Sequence, residues 1–174
     1  MQNLAQLKEL IREVPDFPEP GISFKDITTL LRDADGLRDT IDAMAGKYAD
    51  IEVDLIVGVE SRGFVVGTPM ALHMGCGFVP IRKPGKLPGA TISQEYTLEY
   101  GSDAVEIHND AIGRGERVLM IDDLLATGGT MEASCLLVER LGADIVGIGF
   151  LVELMFLNGR ERLTKYRVDS LIQY

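Results

Sequence analysis

Apolar runs of strand length recur along this chain and are separated by stretches with helical spacing. Such runs lie at 54–60, 118–121 and 144–152, and continuous apolar runs are typical of strands buried inside a parallel sheet. Helices are predicted over 64–74 and 131–141. Because strands alternate with helices, the pattern predicts a three-layer α/β/α fold around a mostly parallel twisted sheet, with its site at the carboxyl ends of the strands.

Two segments depart from this alternation. Asn3 is placed to cap an amphipathic helix whose apolar face runs to Val14, and the Pro/Gly-rich stretch 15–21 ends that helix. Residues 91–97 and 104–108 alternate between apolar and polar side chains, which predicts the two strands of an antiparallel hairpin.

Length and composition are those of one domain. No linker or repeat divides the 174 residues, so we expect a single domain over 1–174, with Asp35 capping a helix of its core. No apolar run approaches the ~20 residues of a membrane span, and the amino terminus lacks the pattern of a signal peptide. Cys76 and Cys135 lack the spacing of a disulfide framework or metal site. We therefore expect a soluble, cytoplasmic protein with reduced thiols.

The chain is acidic, with 17 basic and 27 acidic residues and a formal net charge of −10. This balance argues against general binding to nucleic acid or anionic membranes. A polyanionic substrate would have to be bound locally, by clustered cationic side chains, backbone N–H groups and a divalent cation carried by the substrate.

The segment 118–130 carries most of the chemical information. It contains an apolar strand, the carboxylates of Asp122 and Asp123, a turn of small residues and a helix start near Gly129. Glycine in the turn removes the Cβ that would keep a phosphate from the backbone, and the helix dipole favours an anion. The pattern predicts that the acidic pair holds sugar hydroxyls and that the turn holds phosphate.

Two basic clusters follow predicted strands. Arg62 comes after the run 54–60 and before a glycine and a helix, which suits an anionic leaving group. The second cluster, 82–89, follows a strand at 78–81 and contains two prolines and two glycines, which bar a helix. It is either a solvated turn or a mobile cover that closes on phosphate.

These segments resemble the adenine branch of the type I phosphoribosyltransferase family. Residues 118–130 resemble its signature for phosphoribosyl diphosphate (PRPP), and 82–89 resemble its Arg-Lys-x-Gly-Lys-Leu-Pro-Gly loop. Residues 96–101 resemble Tyr-Ser-Leu-Glu-Tyr-Gly, and 20–27 resemble Pro-Gly-x-x-Phe-Arg-Asp-Ile. The resemblance extends over almost the whole chain.

The resemblance implies how PRPP is bound. The acidic pair would contact the ribose 2′ and 3′ hydroxyls, and the small-residue turn would surround the 5-phosphate. The residues implied in these two tasks are Asp122, Asp123, Ala126, Thr127, Gly128, Gly129 and Thr130.

The resemblance also implies the residues that act on the leaving group and the purine. Ser61, Arg62, Lys83 and Lys86 would bind diphosphate, the loop at Ser61 often containing a cis peptide in this family. Glu99, in the Leu-Glu-Tyr-Gly motif, would be the general acid/base. The catalytic set is then Glu99, Arg62 and Lys86.

Adenine would be bound by Ser23, Phe24 and Lys25, with the Phe24 ring stacked on the base and nearby backbone groups reading its edge. An oxo group on the base would face a carbonyl and leave buried polar groups unpaired. Position 25 is Lys where the family often has Arg, and position 23 is Ser where an aliphatic residue is common. Phe24 as a plain core aromatic is the alternative.

The implied reaction converts adenine and PRPP to AMP and diphosphate. Mg²⁺ would be carried mainly by PRPP and diphosphate, with no dedicated protein ligands, and the family suggests a homodimer. Residues 1–34 would hold the amino-terminal helix and a base-binding hood, and 35–174 the core, with a flexible hairpin loop at about 82–103. His73 and His108 have no partner at useful spacing.

Two alternatives remain open from the sequence. One is a transferase for a different base, such as xanthine, guanine or a pyrimidine. The other is a non-catalytic regulator that senses PRPP or a nucleotide, although the acidic chain shows neither a basic face nor an added DNA-binding domain.

Overall fold

A parallel sheet forms the centre of the molecule. The computed structural model describes residues 2–97 and 101–174, and within them five strands pair side by side in one sheet. Every pairing in this sheet is parallel, as the sequence predicts. In order across the sheet, the strands are β4 (Gly77–Ile81), β3 (Leu55–Val59), β7 (Arg117–Leu125), β8 (Asp144–Glu153) and β9 (Val168–Gln173).

Helices pack on both faces of this sheet, which confirms the three-layer fold. They are α1 (Leu4–Glu9), α2 (Thr28–Arg32), α3 (Ala34–Gly46), α4 (Arg62–Met74) and α5 (Gly129–Arg140). On one face, Met44 and Met70 are buried with Ile56 of the sheet, and on the other Leu137 is buried with Met120. Each such side chain contributes about 1.5–3 kcal/mol on burial. In the part of the chain that the structure describes, no helix is both long and apolar enough to span a membrane.

The amino-terminal helix is shorter than predicted. Asn3 caps it as expected, because its side chain accepts a hydrogen bond from the Gln6 N–H and the Gln6 side chain accepts one from the Asn3 N–H. The chain then forms strand β1 (Arg12–Pro15), antiparallel to β2 (Ser23–Asp26). The predicted helix to Val14 is therefore wrong, because pairing with a later segment overrides the local apolar spacing.

The start of α3 also differs from the prediction. Asp33, rather than Asp35, caps the helix, since its side chain accepts a hydrogen bond from the Gly36 N–H at 2.7 Å. Asp35 lies in the first turn and pairs with Arg38 at the surface, at 2.6 Å. Both acids suit a helix start. The end of α2 at Arg32 decides which one takes the capping position.

The antiparallel hairpin is present where the sequence predicts it. Strand β5 (Thr91–Thr97) pairs with β6 (Ser102–His108), and Tyr96 lies directly opposite Asp103. The hairpin packs on the same side of the sheet as α5 through apolar side chains such as Ile107. It therefore forms a wall beside the start of that helix.

Candidate active site

The acidic pair lies near the carboxyl end of β7, next to the start of α4. β7 runs on to Leu125, so the two carboxylates belong to the strand itself. The Asp123 N–H donates to Oδ1 of Asp122 at 2.8 Å, and Oδ2 of Asp123 pairs with Nε of Arg62 at 2.8 Å. A Cβ at Gly63 would lie 2.9 Å from Oδ1 of Asp122. Glycine at the start of α4 thus makes room for this carboxylate.

Burial sets the electrostatics of this pair. Asp123 is 5% exposed, whereas Asp122 is half-buried on the wall of a cleft. Burial first, and the charge of Asp123 second, raise the pKa of Asp122 well above its ordinary value. Burial also raises the pKa of Asp123, against the opposing effect of Arg62. Two poorly solvated acceptors of this kind suit hydroxyl donors.

The turn between β7 and α5 encloses a small cavity of about 90 Å³. Gly128 is the N-cap of α5 and has a left-handed backbone, with φ of 83°. The first N–H groups of an α-helix have no partners within the helix, and the helix dipole favours an anion at that end. The cavity is lined by Asp122, Leu124, Leu125, Ala126, Thr127, Gly128, Gly129, Thr130, Met131 and Phe150.

The side-chain position of Gly128 faces Gly159 rather than open space. A Cβ there would lie 2.5 Å from the Gly159 carbonyl oxygen. The sequence predicts that glycine in this turn leaves room for phosphate, but at Gly128 the structure gives a different reason. The turn needs a left-handed residue with no Cβ because another part of the chain packs directly behind it.

An ion pair far along the chain holds that supporting segment. The guanidinium of Arg160 donates to both carboxylate oxygens of Glu153, at 2.5 and 2.6 Å, and the side chain of Glu153 is only 3% exposed. The hydroxyl of Ser170 also donates to Glu153. Nothing in the sequence reveals that Gly159 packs behind the phosphate turn.

A larger cleft of about 390 Å³ adjoins this cavity. It lies over the ends of β3 and β7, with the start of α4 and Lys83 of the basic segment 82–89 on its wall. The Glu60–Ser61 peptide at its edge is cis. The residues that line the cleft are Glu60, Ser61, Arg62, Lys83, Asp122, Asp123, Leu124 and Thr130.

The basic residues differ in how they meet the cleft. Arg62 and Lys83 lie on its wall. Arg82 is held by Glu60, whose carboxylate accepts from the Arg82 guanidinium at 2.9 Å and from the Lys83 N–H at 2.8 Å. The bond from Arg82 lowers the pKa of Glu60. The side chain of Lys86 is exposed and is not part of the cleft lining.

Lys83 is held from the hairpin by two residues that the sequence does not single out. Its ammonium donates to the Tyr96 hydroxyl at 2.9 Å and also to Asp103. The Tyr96 hydroxyl donates to Asp103 at 3.1 Å and accepts from the Thr130 hydroxyl at 3.2 Å. Tyr96 lies in the segment 96–101 that resembles a family motif. Only the register of the two hairpin strands shows that Asp103 is its partner. Glu99 lies outside the described residues.

Phe24 lies beside the cleft and not in the core, so the alternative of a plain core aromatic is wrong. Its half-buried ring meets Phe17 edge-to-face at 5.2 Å, and the guanidinium carbon of Arg62 lies 5.4 Å from its centroid. The side chains of Ser23 and Lys25 lie on the opposite face of the strand, where both contact Glu13. Contact of these two residues with a base would therefore involve backbone groups.

Comparisons with known proteins agree with this geometry. A family model described as "Phosphoribosyl transferase domain" matches residues 26–173. An adenine phosphoribosyltransferase of Alkaliphilus metalliredigens is 57% identical over 168 residues, which cover 97% of this chain and 99% of the relative.

Solved structures are also similar. A crystal structure of adenine phosphoribosyltransferase from Thermoanaerobacter pseudethanolicus matches with a TM-score of 0.97 and 52% identity, over 99% of this chain and 100% of that one. The enzyme of Saccharomyces cerevisiae, complexed with an imino-altritol bisphosphate and adenine, matches with a TM-score of 0.92 and 41% identity, over 97% of each chain.

The two glycines at the start of α5 should differ in their tolerance of a methyl group. Gly128→Ala should lower the free energy of unfolding by about 2–4 kcal/mol, because it adds a left-handed alanine and a clash with Gly159. Gly129→Ala is the matched control: its Cβ would lie 3.5 Å from the Tyr96 ring, and we expect a change within about 1 kcal/mol. Urea unfolding measures both, and equal losses would contradict the packing described here.

Proposed function

The chain belongs to the phosphoribosyltransferase family, and within it to the adenine phosphoribosyltransferases; we propose how its residues divide the work of that reaction. The enzyme transfers the phosphoribosyl group of PRPP to adenine, giving AMP and diphosphate. One observation carries our assignment of roles. The small cavity at the start of α5 and the larger cleft adjoin, and they share Asp122, Leu124 and Thr130.

This arrangement matches the order of charges along PRPP. We place the 5-phosphate in the cavity at the start of α5, the ribose hydroxyls on Asp122 and Asp123, and the diphosphate in the cleft by Arg62 and Lys83. Charge and hydrogen bonding support this assignment. The helix start and the cationic side chains would meet phosphate groups, and the carboxylate acceptors would meet hydroxyl donors. Lys86 joins the diphosphate site in this proposal only if its segment moves toward the cleft.

Bond exchange at C1′ then follows from positioning and charge. The bond from C1′ to the diphosphate oxygen breaks with its electron pair leaving on diphosphate, while N9 of adenine forms the new bond to C1′. Arg62 and Lys83 stabilise the departing negative charge, and the acidic pair fixes the ring as it gains positive character. Glu99 takes the proton released from the purine.

Backbone groups of β2 are our candidate for reading adenine. Among the described residues, β2 pairs only with β1, so its other edge has N–H and C=O groups available. A neighbouring donor and acceptor complement the amino group and ring nitrogen of adenine, whereas an oxo group would face a carbonyl. The contact of the Phe24 ring with Arg62 supports an adenine site beside the proposed ribose site.

Mg²⁺ enters this proposal as part of the substrate. Within residues 2–97 and 101–174 there is no cluster of three or more His, Cys, Asp or Glu side chains placed to hold a metal. The acidic pair, Asp122 and Asp123, offers adjacent carboxylate oxygens in the cleft. We assign these oxygens to the sugar hydroxyls and not to the metal. When bound to the diphosphate, Mg²⁺ supplies positive charge that weakens the bond to the leaving group.

We also propose a cytoplasmic homodimer built from single-domain subunits. Leu7 and Ile27 of the hood segment are buried in the same cluster as Leu151 of the sheet, which supports one domain. The thiols of Cys76 and Cys135 are both free, as in a reducing compartment.

The proposed subunit contact is an apolar stripe on α4. Val65 is 46% exposed and Leu72 is 84% exposed. Because they are seven positions apart, they lie on the same face of the helix, which suits a subunit contact.

A panel of bases tests the substrate assignment. With PRPP and Mg²⁺, we expect adenine to give diphosphate release at least about a hundredfold faster, in kcat/KM, than hypoxanthine, guanine or xanthine, because a 6-oxo group leaves polar groups unpaired. Preference for a 6-oxopurine would overturn the adenine assignment. Tight binding of PRPP with no turnover of any base would favour a sensor.

Substitution of Glu99 tests its assignment as the base. Glu99→Leu should lower kcat by roughly a hundredfold or more while the affinity for PRPP stays near wild type, because the proton transfer is lost and the PRPP contacts remain. The matched control is Glu95→Leu, which removes an exposed carboxylate four positions earlier in the chain, in β5. Steady-state kinetics and PRPP calorimetry separate the two effects, and wild-type turnover in Glu99→Leu would refute the role.

The homodimer is tested by sedimentation equilibrium. The wild-type protein should have about twice the chain mass of 19.0 kDa, and Leu72→Asp should shift it toward monomer, because burying an unpaired charge in an apolar contact is costly. Leu4→Asp, at another exposed leucine, should leave the dimer intact. A monomeric wild type, or an unaffected Leu72→Asp dimer, would contradict the proposed contact.

A further inference from the structure

A small polar network joins the hairpin to both halves of the proposed PRPP site. Its centre is the Tyr96 hydroxyl, which meets Lys83, Asp103 and Thr130. Lys83 and Thr130 both line the cleft, and Thr130 also lines the phosphate cavity. Tyr96 and Asp103 line neither. The two hairpin residues therefore stand behind the groups that we expect to meet the substrate.

The register of the hairpin brings this network together. Tyr96 and Asp103 are directly opposite each other in the antiparallel pair, so their side chains leave the same face of the sheet. That face packs against the start of α5, where the Tyr96 ring lies near the Cα of Gly129. Packing of its ring against the core on this side of the sheet positions Tyr96 independently of Lys83.

Holding Lys83 in place has an energetic consequence for binding. A free lysine side chain loses rotamer entropy when a ligand orders it. In this structure the ammonium already has two partners, Tyr96 and Asp103, and an ammonium has three donors. The third remains for an anion in the cleft that Lys83 lines. The bond to Asp103 also raises the pKa of Lys83, against the effect of burial.

We propose that Asp103 and Tyr96 are positioning residues for PRPP, which hold the Lys83 ammonium in the diphosphate cleft and join it to Thr130 at the phosphate turn. This inference rests on the proposed function, since it needs diphosphate to bind beside Lys83. Asp103 acts through Lys83 and does not touch the substrate.

A double-mutant cycle tests whether Asp103 acts through Lys83. Asp103→Asn should raise KM for PRPP about tenfold with kcat and KM for adenine near wild type, because the lysine is no longer ordered before binding; tenfold corresponds to about 1.4 kcal/mol. Lys83→Met should raise KM for PRPP at least as much and should also lower kcat, because the charge that stabilises the leaving diphosphate is lost. In the Lys83→Met background, Asp103→Asn should add almost nothing. With Lys83 present, Asp103→Glu should raise KM for PRPP less than Asp103→Asn does, because it keeps a carboxylate partner for the lysine.

The controls separate positioning from folding and from the function itself. Glu95→Gln removes a carboxylate from the same hairpin, and that carboxylate takes part in no ion pair with the described residues; KM for PRPP should not change. Tyr96→Phe keeps the ring packing and should raise KM for PRPP even if Asp103→Asn folds poorly. Unchanged or lowered KM in Asp103→Asn and Tyr96→Phe, or additive effects with Lys83→Met, would overturn the proposal. An inactive wild type would instead overturn the proposed function.

Discussion

Two adjacent carboxylates, placed near the end of a buried strand and poorly hydrated there, are the constraint on which the site depends. Burial raises the pKa of both Asp122 and Asp123, and their charges repel each other. Arg62 offsets this cost at Asp123. The neighbouring features are compatible with this constraint. A glycine at the start of α4 makes room for the Asp122 carboxylate, and the helix start beyond the acids provides hydrogen-bond donors rather than further acceptors. A ligand with hydroxyls in the middle and phosphates at both ends satisfies all of these groups at once.

The phosphate turn keeps its shape because distant parts of the chain pack behind it. Gly159 lies against Gly128, and the ion pair between Glu153 and Arg160 fixes the segment that contains Gly159. Glu153 ends β8, which pairs in register with the end of β7. The turn is thus positioned by the sheet itself. Such support matters, since small errors in the placement of a bound substrate reduce the advantage of orientation.

The sequence predicts those features that depend on local patterns. Continuous apolar runs identify the central strands, and acids followed by small residues identify the turn at Gly128. Both are predictable because each signal is contained in a few consecutive residues. The end of the first helix is not predictable in this way, since pairing of Arg12–Pro15 with Ser23–Asp26 decides it. The choice of Asp33 over Asp35 as a cap depends on where the preceding helix ends.

Contacts between distant residues are the part of the site that no local pattern reveals. Gly159 behind the turn, and Asp103 behind Lys83, are brought into place only by the fold. The role of Glu99 stays a prediction from its motif. A crystal structure with PRPP, Mg²⁺ and an unreactive adenine analogue is the most direct test of this account. It should show the 5-phosphate within the turn 126–130 and both ribose hydroxyls on Asp122 and Asp123. An empty turn, with the phosphate bound elsewhere, would contradict it.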